Sequence, residues 1–125
     1  MTLERRMEGR RVLVTGAGTG IGRGIALEFA AEGAAVALHY SHSEAGARAA
    51  VDEIIRAGGK AAAFGANFTD IAQVRALADQ ALGFLGGLDV LVNNAGITMN
   101  KPFIDVTPAQ FDTLYQVNVR AMFFL

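Results

Sequence analysis

Along the chain, short unbroken apolar runs alternate with longer stretches whose apolar residues return every three or four positions. The run RVLVT (residues 11–15) is rich in β-branched residues and predicts a strand buried on both faces. A glycine-rich turn follows. The stretch GRGIALEFAAEG then predicts a helix with Ile21, Ile25 and Phe29 on one face and Gly33 as its stop. AAVALHY (residues 34–40) predicts a second strand. Ser43 is placed to cap a second helix that would bury Ala47, Val51, Ile54 and Ile55 until AGGK breaks it. KAAAFGA predicts a third strand, a weak one because alanine does not favour strands. Asp70 and Gln73 have capping-box spacing ahead of Val74, Leu77, Ala78, Ala81 and Leu82. LDVLVNN (residues 88–94) predicts the fourth strand. After a loop with Pro102, Thr107 as N-cap, Pro108 at N1 and Gln110 at N3 start a last helix. Its predicted face carries Phe111, Leu114, Asn118, Ala121, Met122 and Leu125. Strands joined through helices must pair in parallel with right-handed crossovers. The order β-α-β-α-β-α-β-α therefore predicts an α/β fold, a Rossmann-type doubly wound parallel sheet with helices on both faces.

Composition narrows what such a fold can do. A length of 125 residues suits one domain, and 52% hydrophobic residues supply a core. A formal net charge of −1 provides neither a basic face for nucleic acid nor a polybasic membrane arm. With no cysteine, disulfides, thiol catalysis and zinc–thiolate sites are excluded, and no metal site is expected. The opening MTLERRMEGRR lacks the apolar core of a secretory leader, and no apolar run reaches membrane-spanning length. A cytoplasmic protein is the expectation.

The chemistry concentrates in VTGAGTGIGRG, between the first strand and the first helix. Gly16, Gly20 and Gly22 are spaced G-x-x-x-G-x-G, which differs from the usual dinucleotide spacing G-x-G-x-x-G. The physics is shared. Glycine permits the positive φ of a tight turn and removes a Cβ that would obstruct a pyrophosphate. The helix N-terminus offers free N–H groups and partial positive charge to phosphates. Gly22 would let the helix approach the strand closely. The alternative is a glycine-rich βα turn without a ligand.

Three elements together resemble the short-chain dehydrogenase/reductase family, in its classical branch. Residues 15–22 match the family's T-G-x-x-x-G-x-G, residues 93–96 match its N-N-A-G, and Asn118 falls in a pattern close to VNVRAMF. The resemblance covers essentially the whole chain and implies a sheet order of 3-2-1-4. It implies that Gly16, Thr19, Gly20, Ile21 and Gly22 line a pyrophosphate. Asn94, Ala95 and Gly96 would lie beside the cofactor ribose, with Asn93 tying the central strands. Tyr40 stands where members using NAD carry an aspartate, which would bond the ribose 2′-hydroxyl and repel a 2′-phosphate. Ser41, His42 and Ser43 follow at a helix N-terminus, an environment that accepts a phosphate. The expectation is NADP(H) over NAD(H), although Thr19 occupies a position where some NADP-dependent members have arginine. Asn67, followed by Phe68, replaces an aspartate that commonly faces the adenine, and its amide still offers an acceptor and a donor. Asn118 matches a catalytic asparagine that holds a relay water. On local grounds alone it would bond a nearby carbonyl and bend its helix.

The family's acid–base pair, Tyr-x-x-x-Lys, does not occur: residues four beyond Tyr40 and Tyr115 are Glu44 and Val119. Residues 1–125 are thus expected to be a single dinucleotide-binding domain cut before its catalytic half. The implied whole is an NAD(P)-dependent oxidoreductase moving hydride between nicotinamide and a small carbonyl or secondary-alcohol substrate, a homo-oligomer at full length. The competing readings are a non-catalytic dinucleotide-binding module and a non-functional truncation.

Overall fold

The computed structural model of the chain describes residues 5–125. The first four residues of the charged opening, on which part of the no-leader expectation falls, lie outside the described residues. Four strands, β1 (Arg11–Val14), β2 (Ala35–Tyr40), β3 (Ala61–Gly65) and β4 (Val90–Val92), pair in parallel in the order β3-β2-β1-β4. This is the expected topology, with strand ends trimmed by at most two residues relative to the sequence patterns.

Alternation sorts the strand side chains onto two covered faces. Val12, Val14, Val36 and Leu38 pack with Ala26 and Ala30 of α1 (Gly20–Ala31) and with Ala50 and Ile54 of α2 (Glu44–Arg56). Leu13 and Ala37 point the other way, onto Ala81 and Leu85 of α3 (Ile71–Leu85). Beyond them Phe68, Val74, Leu77 and Ala121 form a satellite core.

Several expected helix faces are rotated. In α1 the buried residues are Gly22, Ala26 and Ala30, while Ile21 is 78% exposed. A helix pressed against a sheet at its own glycine turn puts its smallest side chains inward, so Ile25 and Phe29 pack only at the flank. In α2 Ala47, Ala50 and Ile54 are buried and Ile55 is exposed. Ser43 is the N-cap of α2 but makes no side-chain cap bond. Asp70 does cap α3 by accepting from Ala72 N, whereas Gln73 Oε1 accepts from Asn67 N, so the reciprocal half of the box is absent. In α3 Leu85 is buried in place of the expected Leu82.

The last helix starts as read. Thr107 Oγ1 accepts from Gln110 N at 3.2 Å and Gln110 Oε1 accepts from Thr107 N at 2.9 Å, a full capping box on α4 (Pro108–Tyr115). It does not continue uniformly. Residues Gln116–Arg120 form a π-turn before α5 (Ala121–Phe124). The extra residue shifts the helical phase. The single predicted stripe therefore splits: Val117, Ala121 and Leu125 pack on the α3 side, and Phe111 and Met122 are exposed.

Candidate functional site

A cavity of about 280 Å³ opens where the four strands end, beneath the loops that follow them. Ten of the residues named from the sequence line it: Gly16, Thr19, Tyr40, Ser41, His42, Ser43, Asn67, Phe68, Ala95 and Gly96. Gly20, Ile21, Gly22, Asn94 and Asn118 do not line it. They hold or flank its walls.

The glycine turn is shaped by two left-handed residues, Gly16 (φ +63°) and Gly20 (φ +54°), a region that side chains with a Cβ rarely adopt. The crowding at Gly16 comes from the protein itself. A Cβ there would lie 2.9 Å from Ala95 Cα, so the missing atom makes room for the loop after β4. At Gly22 a Cβ would overlap the Gly16 carbonyl oxygen and Asn94 Nδ2. The helix thus starts hard against the turn, as its sequence predicts. Among the described residues, the backbone amides of residues 18–22 bond to no protein acceptor. Five N–H groups therefore collect at the start of a twelve-residue helix, where its partial positive charge also lies.

Buried side chains tie the loops together. Thr15, 1% exposed, donates through Oγ1 to Val92 O (3.3 Å) and accepts from Asn94 N (3.0 Å) and Ala95 N (2.9 Å). Asn94 Nδ2 donates to Thr15 O (3.2 Å) and Gly16 O (3.1 Å). The tie between the central strands is thus made by Thr15 and Asn94; Asn93, to which the resemblance gave it, is exposed. Asn118 Oδ1 accepts from Ile97 N and its Nδ2 donates to Ile97 O, both at 2.8 Å. The amide clamps a residue 21 positions away rather than a local carbonyl. Arg120 Nη2 donates to Thr69 O at 2.7 Å.

The wall after β2 and β3 is more open. Tyr40 is half-buried with its ring against Gly65, where an added Cβ would lie 3.0 Å from it. Ser41 and His42 are exposed, and Ser43 is packed against Gly18. Arg48, one turn into α2, bonds Glu44 Oε1 at 3.1 Å, and that bond, with a smaller contribution from Tyr40, raises its pKa further. Asn67 Oδ1 accepts from both Thr69 N (3.0 Å) and Thr69 Oγ1 (2.8 Å). Its acceptor is used locally, and its NH2 remains as the group to offer. Phe68, 5% exposed, is a core residue at the cavity floor.

One site residue escaped the sequence reading. His39, the penultimate residue of β2, is 1% exposed and stacks on Phe68 with ring centroids 4.2 Å apart. Its Nδ1 accepts from Gly16 N at 3.0 Å, and its Nε2 lies 2.9 Å from Ala66 O. Those partners fix the tautomer: Nδ1 is bare and Nε2 carries the proton. Burial pushes the imidazole below its ordinary value of 6.5, partly opposed by the bond to Ala66. A signal was present. β2 is flanked by strands and covered on both faces, so a polar side chain near its end has to find protein partners. Among the described residues no cluster of three or more potential metal ligands occurs, and no helix is long and apolar enough to cross a membrane.

Comparison with known proteins gives the same picture. The family model for short chain dehydrogenase matches residues 10–125. A hydroxynaphthalene reductase-like protein from Metarhizium robertsii is 43% identical over 121 residues, covering 97% of this chain and 45% of the relative. A short chain dehydrogenase from Burkholderia cenocepacia, solved in complex with NADP, superposes with a TM-score of 0.92 at 43% identity, covering 95% of this chain and 49% of that one. A 7α-hydroxysteroid dehydrogenase complexed with NADH and 7-oxo glycochenodeoxycholic acid gives a TM-score of 0.89 at 40% identity, covering 99% and 49%. The chain thus spans about half the length of the proteins it matches.

Proposed function

The chain belongs to the short chain dehydrogenase family, and on that premise we propose that residues 1–125 are the dinucleotide-binding domain of a nicotinamide-dependent oxidoreductase. The observation that carries this reading is the set of five unbonded amides, residues 18–22, at the start of α1, of which Gly18 and Thr19 line the glycine-shaped cleft. An anionic pyrophosphate supplies the acceptors those donors lack. Gly16, Thr19, Gly20, Ile21 and Gly22 would hold it, and Asn94, Ala95 and Gly96 would border the adjoining ribose. Asn67 and Phe68 would take the adenine end, through the free NH2 of Asn67 and the apolar floor.

A nicotinamide dinucleotide bound here supplies the hydride for a carbonyl, or accepts one from a secondary alcohol. The chain's own residues bind and orient. Thr15 and Asn94 fix the turn, and Asn118 fixes Ile97 through the π-turn, where one backbone bond is skipped. That freed backbone is where Asn118 would hold a relay water. The proton itself needs a tyrosine and lysine that these 125 residues do not contain as a pair. The reductase reaction is therefore proposed for a protein in which this domain works with a catalytic half, and the chain alone is expected to be inactive. The substrate class is a small carbonyl or alcohol compound. Association of copies in the whole enzyme is supported by the exposed apolar row of Phe111, Tyr115 and Met122.

We further propose NADP(H) over NAD(H). The support is local: among the described residues no carboxylate lines the cavity, and Tyr40, Ser41, His42 and Ser43 line it at and past the end of β2, offering hydroxyls and an imidazole to a 2′-phosphate. Calorimetric titration with NADP+ and NAD+ tests both levels. Binding of NADP+ with at least about tenfold preference is expected, a gap of roughly 1.4 kcal/mol. Tyr40→Asp should reverse the order. Tighter binding of NAD+ by the unaltered chain would overturn the preference, and no binding of either nucleotide would overturn the function.

A further inference from the structure

We propose that His39 is a positioning residue of the cofactor cleft: its unprotonated Nδ1 sets the glycine turn by holding the Gly16 amide. This inference rests on the dinucleotide reading above and extends it to a side chain to which that reading assigns no part.

The geometry is specific. Gly16 is the first left-handed residue of the turn, and its N–H ends on Nδ1 of the buried His39 at 3.0 Å. The same ring reaches across β2 to the Ala66 carbonyl at 2.9 Å, in the segment after β3. One planar group therefore joins the phosphate side of the cleft to its adenine side. Stacking on Phe68 at an interplanar angle of 7° leaves the ring no other orientation in which both bonds survive.

Protonation at Nδ1 would set two N–H donors face to face. Nothing nearby compensates an imidazolium. The turn presents backbone amides, the segment after β3 presents Ala66 and Phe68, and β3 places Phe64 opposite in the register. On the β1 side lies Thr15, an alcohol already engaged with β4 and its loop. Among the described residues, the other titratable groups lining the cavity are Tyr40 and His42, and no carboxylate lines it. Acid should accordingly loosen Gly16 and weaken cofactor binding. A competing effect has the opposite sign, since a bound pyrophosphate attracts a buried cation and would favour binding at low pH. Direct loss of the Gly16 contact outweighs it here, because the attraction acts at longer range and across the turn.

Two amide substitutions separate the ring's two nitrogens. His39→Asn places an acceptor near the Nδ1 position and cannot titrate. His39→Gln reaches toward the Nε2 position, keeping the Ala66 contact and abandoning Gly16. NADP+ affinity is measured by calorimetry at about pH 8 and pH 5.5, with each variant's folding checked by circular dichroism. At pH 8, His39→Asn should bind within about threefold of the unaltered chain and His39→Gln about tenfold more weakly, the scale of one lost hydrogen bond. The affinity ratio of unaltered chain to His39→Asn should fall on acidification, a ratio in which the ligand's own titration cancels. Equal binding by the two variants at pH 8, or a ratio that rises in acid, would overturn the proposal. Failure of the unaltered chain to bind at pH 8 would instead overturn the dinucleotide reading beneath it. Ring ¹⁵N spectra of the ligand-free chain give an independent check. A bare Nδ1 and protonated Nε2 on His39 are required, and the opposite tautomer refutes the positioning role whether or not the variants fold.

Discussion

Replacing Gly22 by alanine adds one methyl group to a helix, a change that ordinarily stabilises by up to about 1 kcal/mol. Here the sign should reverse. The added Cβ would overlap the Gly16 carbonyl oxygen, which is backbone, and Asn94 Nδ2, which is held between Thr15 O and Gly16 O. Neither obstacle is a flexible side-chain tip. Relief requires α1 to lift from the turn or Asn94 to leave it. Overpacking of this kind costs about 1–3 kcal/mol, and loss of the two Asn94 bonds adds roughly 1 kcal/mol each. Against the propensity gain the net is a destabilisation of about 2–4 kcal/mol. For a chain of this size that lowers the melting temperature by roughly 6–16 °C. The lifted helix also carries the unbonded amides away from the cleft, so NADPH affinity should drop by at least about tenfold.

Gly24, two residues on in the same helix, supplies the control. A Cβ there meets nothing within 4 Å, and its φ is not positive. Gly24→Ala should raise the melting temperature by a few degrees, reflecting about 0.5–1 kcal/mol, and leave NADPH binding unchanged. Thermal melts followed by circular dichroism, paired with fluorescence titration of NADPH, read both quantities. If the two substitutions shift stability in the same direction, close packing at the turn is not what selects glycine at position 22. If Gly22→Ala melts lower but binds NADPH normally, the turn is structural and the cofactor geometry does not depend on it.

Thr15→Val keeps the shape of a buried side chain but leaves the Asn94 and Ala95 amides without their acceptor; urea unfolding should show a loss of about 2–4 kcal/mol, while Thr15→Ser stays within about 1.5 kcal/mol. Asn118→Leu removes both 2.8 Å bonds to Ile97, so hydrogen exchange at the Ile97 amide should accelerate at least about tenfold with little change at β1. Asp89 is bonded by Arg11 through Nε (3.0 Å), through Nη2 (3.1 Å) and through the backbone amide (2.8 Å), and that pairing lowers its pKa from 3.8 to about 2. The unfolded chain therefore takes up this proton first, so the stabilisation is complete above pH 3.8 and is lost as pH falls toward 2. Arg11→Ala should flatten that segment of the melting-temperature profile, and an unchanged slope would refute the assignment.

The order of elements was legible because each strand is a short apolar run punctuated by glycine or a capping residue. The last helix shows how far local chemistry reaches: Thr107, Pro108 and Gln110 specify its start completely. Faces were less legible. In α1 the largest apolar residues, Ile21, Ile25 and Phe29, suggest the buried stripe, but the sheet approaches so closely that Gly22, Ala26 and Ala30 occupy it. Hydrophobicity patterns weight bulk, whereas a tight helix–sheet contact selects its absence. The π-turn at Gln116–Arg120 was not legible from a 3.6-residue period, and it divides a stripe that looks continuous in sequence. At the site, the glycines and the residues 94–96 announce themselves by motif. Thr15 heads the glycine motif, but the motif does not reveal its bonds to the loop after β4, and His39 carries no pattern at all, because their partners are backbone atoms brought near only by the parallel pairing of β1 with β2 and β4.

Side-chain ties of this kind explain how loops can form a site of fixed shape. Segments beyond strand ends are ordinarily the mobile part of a fold. Here the segments after β1, β3 and β4 are tied by polar side chains to the backbone of another segment. Thr15 binds the loop after β4, and Asn94 of that loop binds back to the glycine turn. His39 joins the turn to Ala66, Asn118 holds Ile97, and Arg120 holds Thr69. Since Gly16 receives Asn94 at its carbonyl and gives its amide to His39, the two ties act on one peptide neighbourhood. Groups sharing a partner in this way do not contribute independently. A double-mutant cycle of Asn94→Ala with His39→Ala should therefore show a coupling of about 0.5–2 kcal/mol in NADPH binding, the second substitution adding less than it does alone. Strict additivity would mean that the turn is fixed by glycine conformation alone, with the surrounding side chains as passengers.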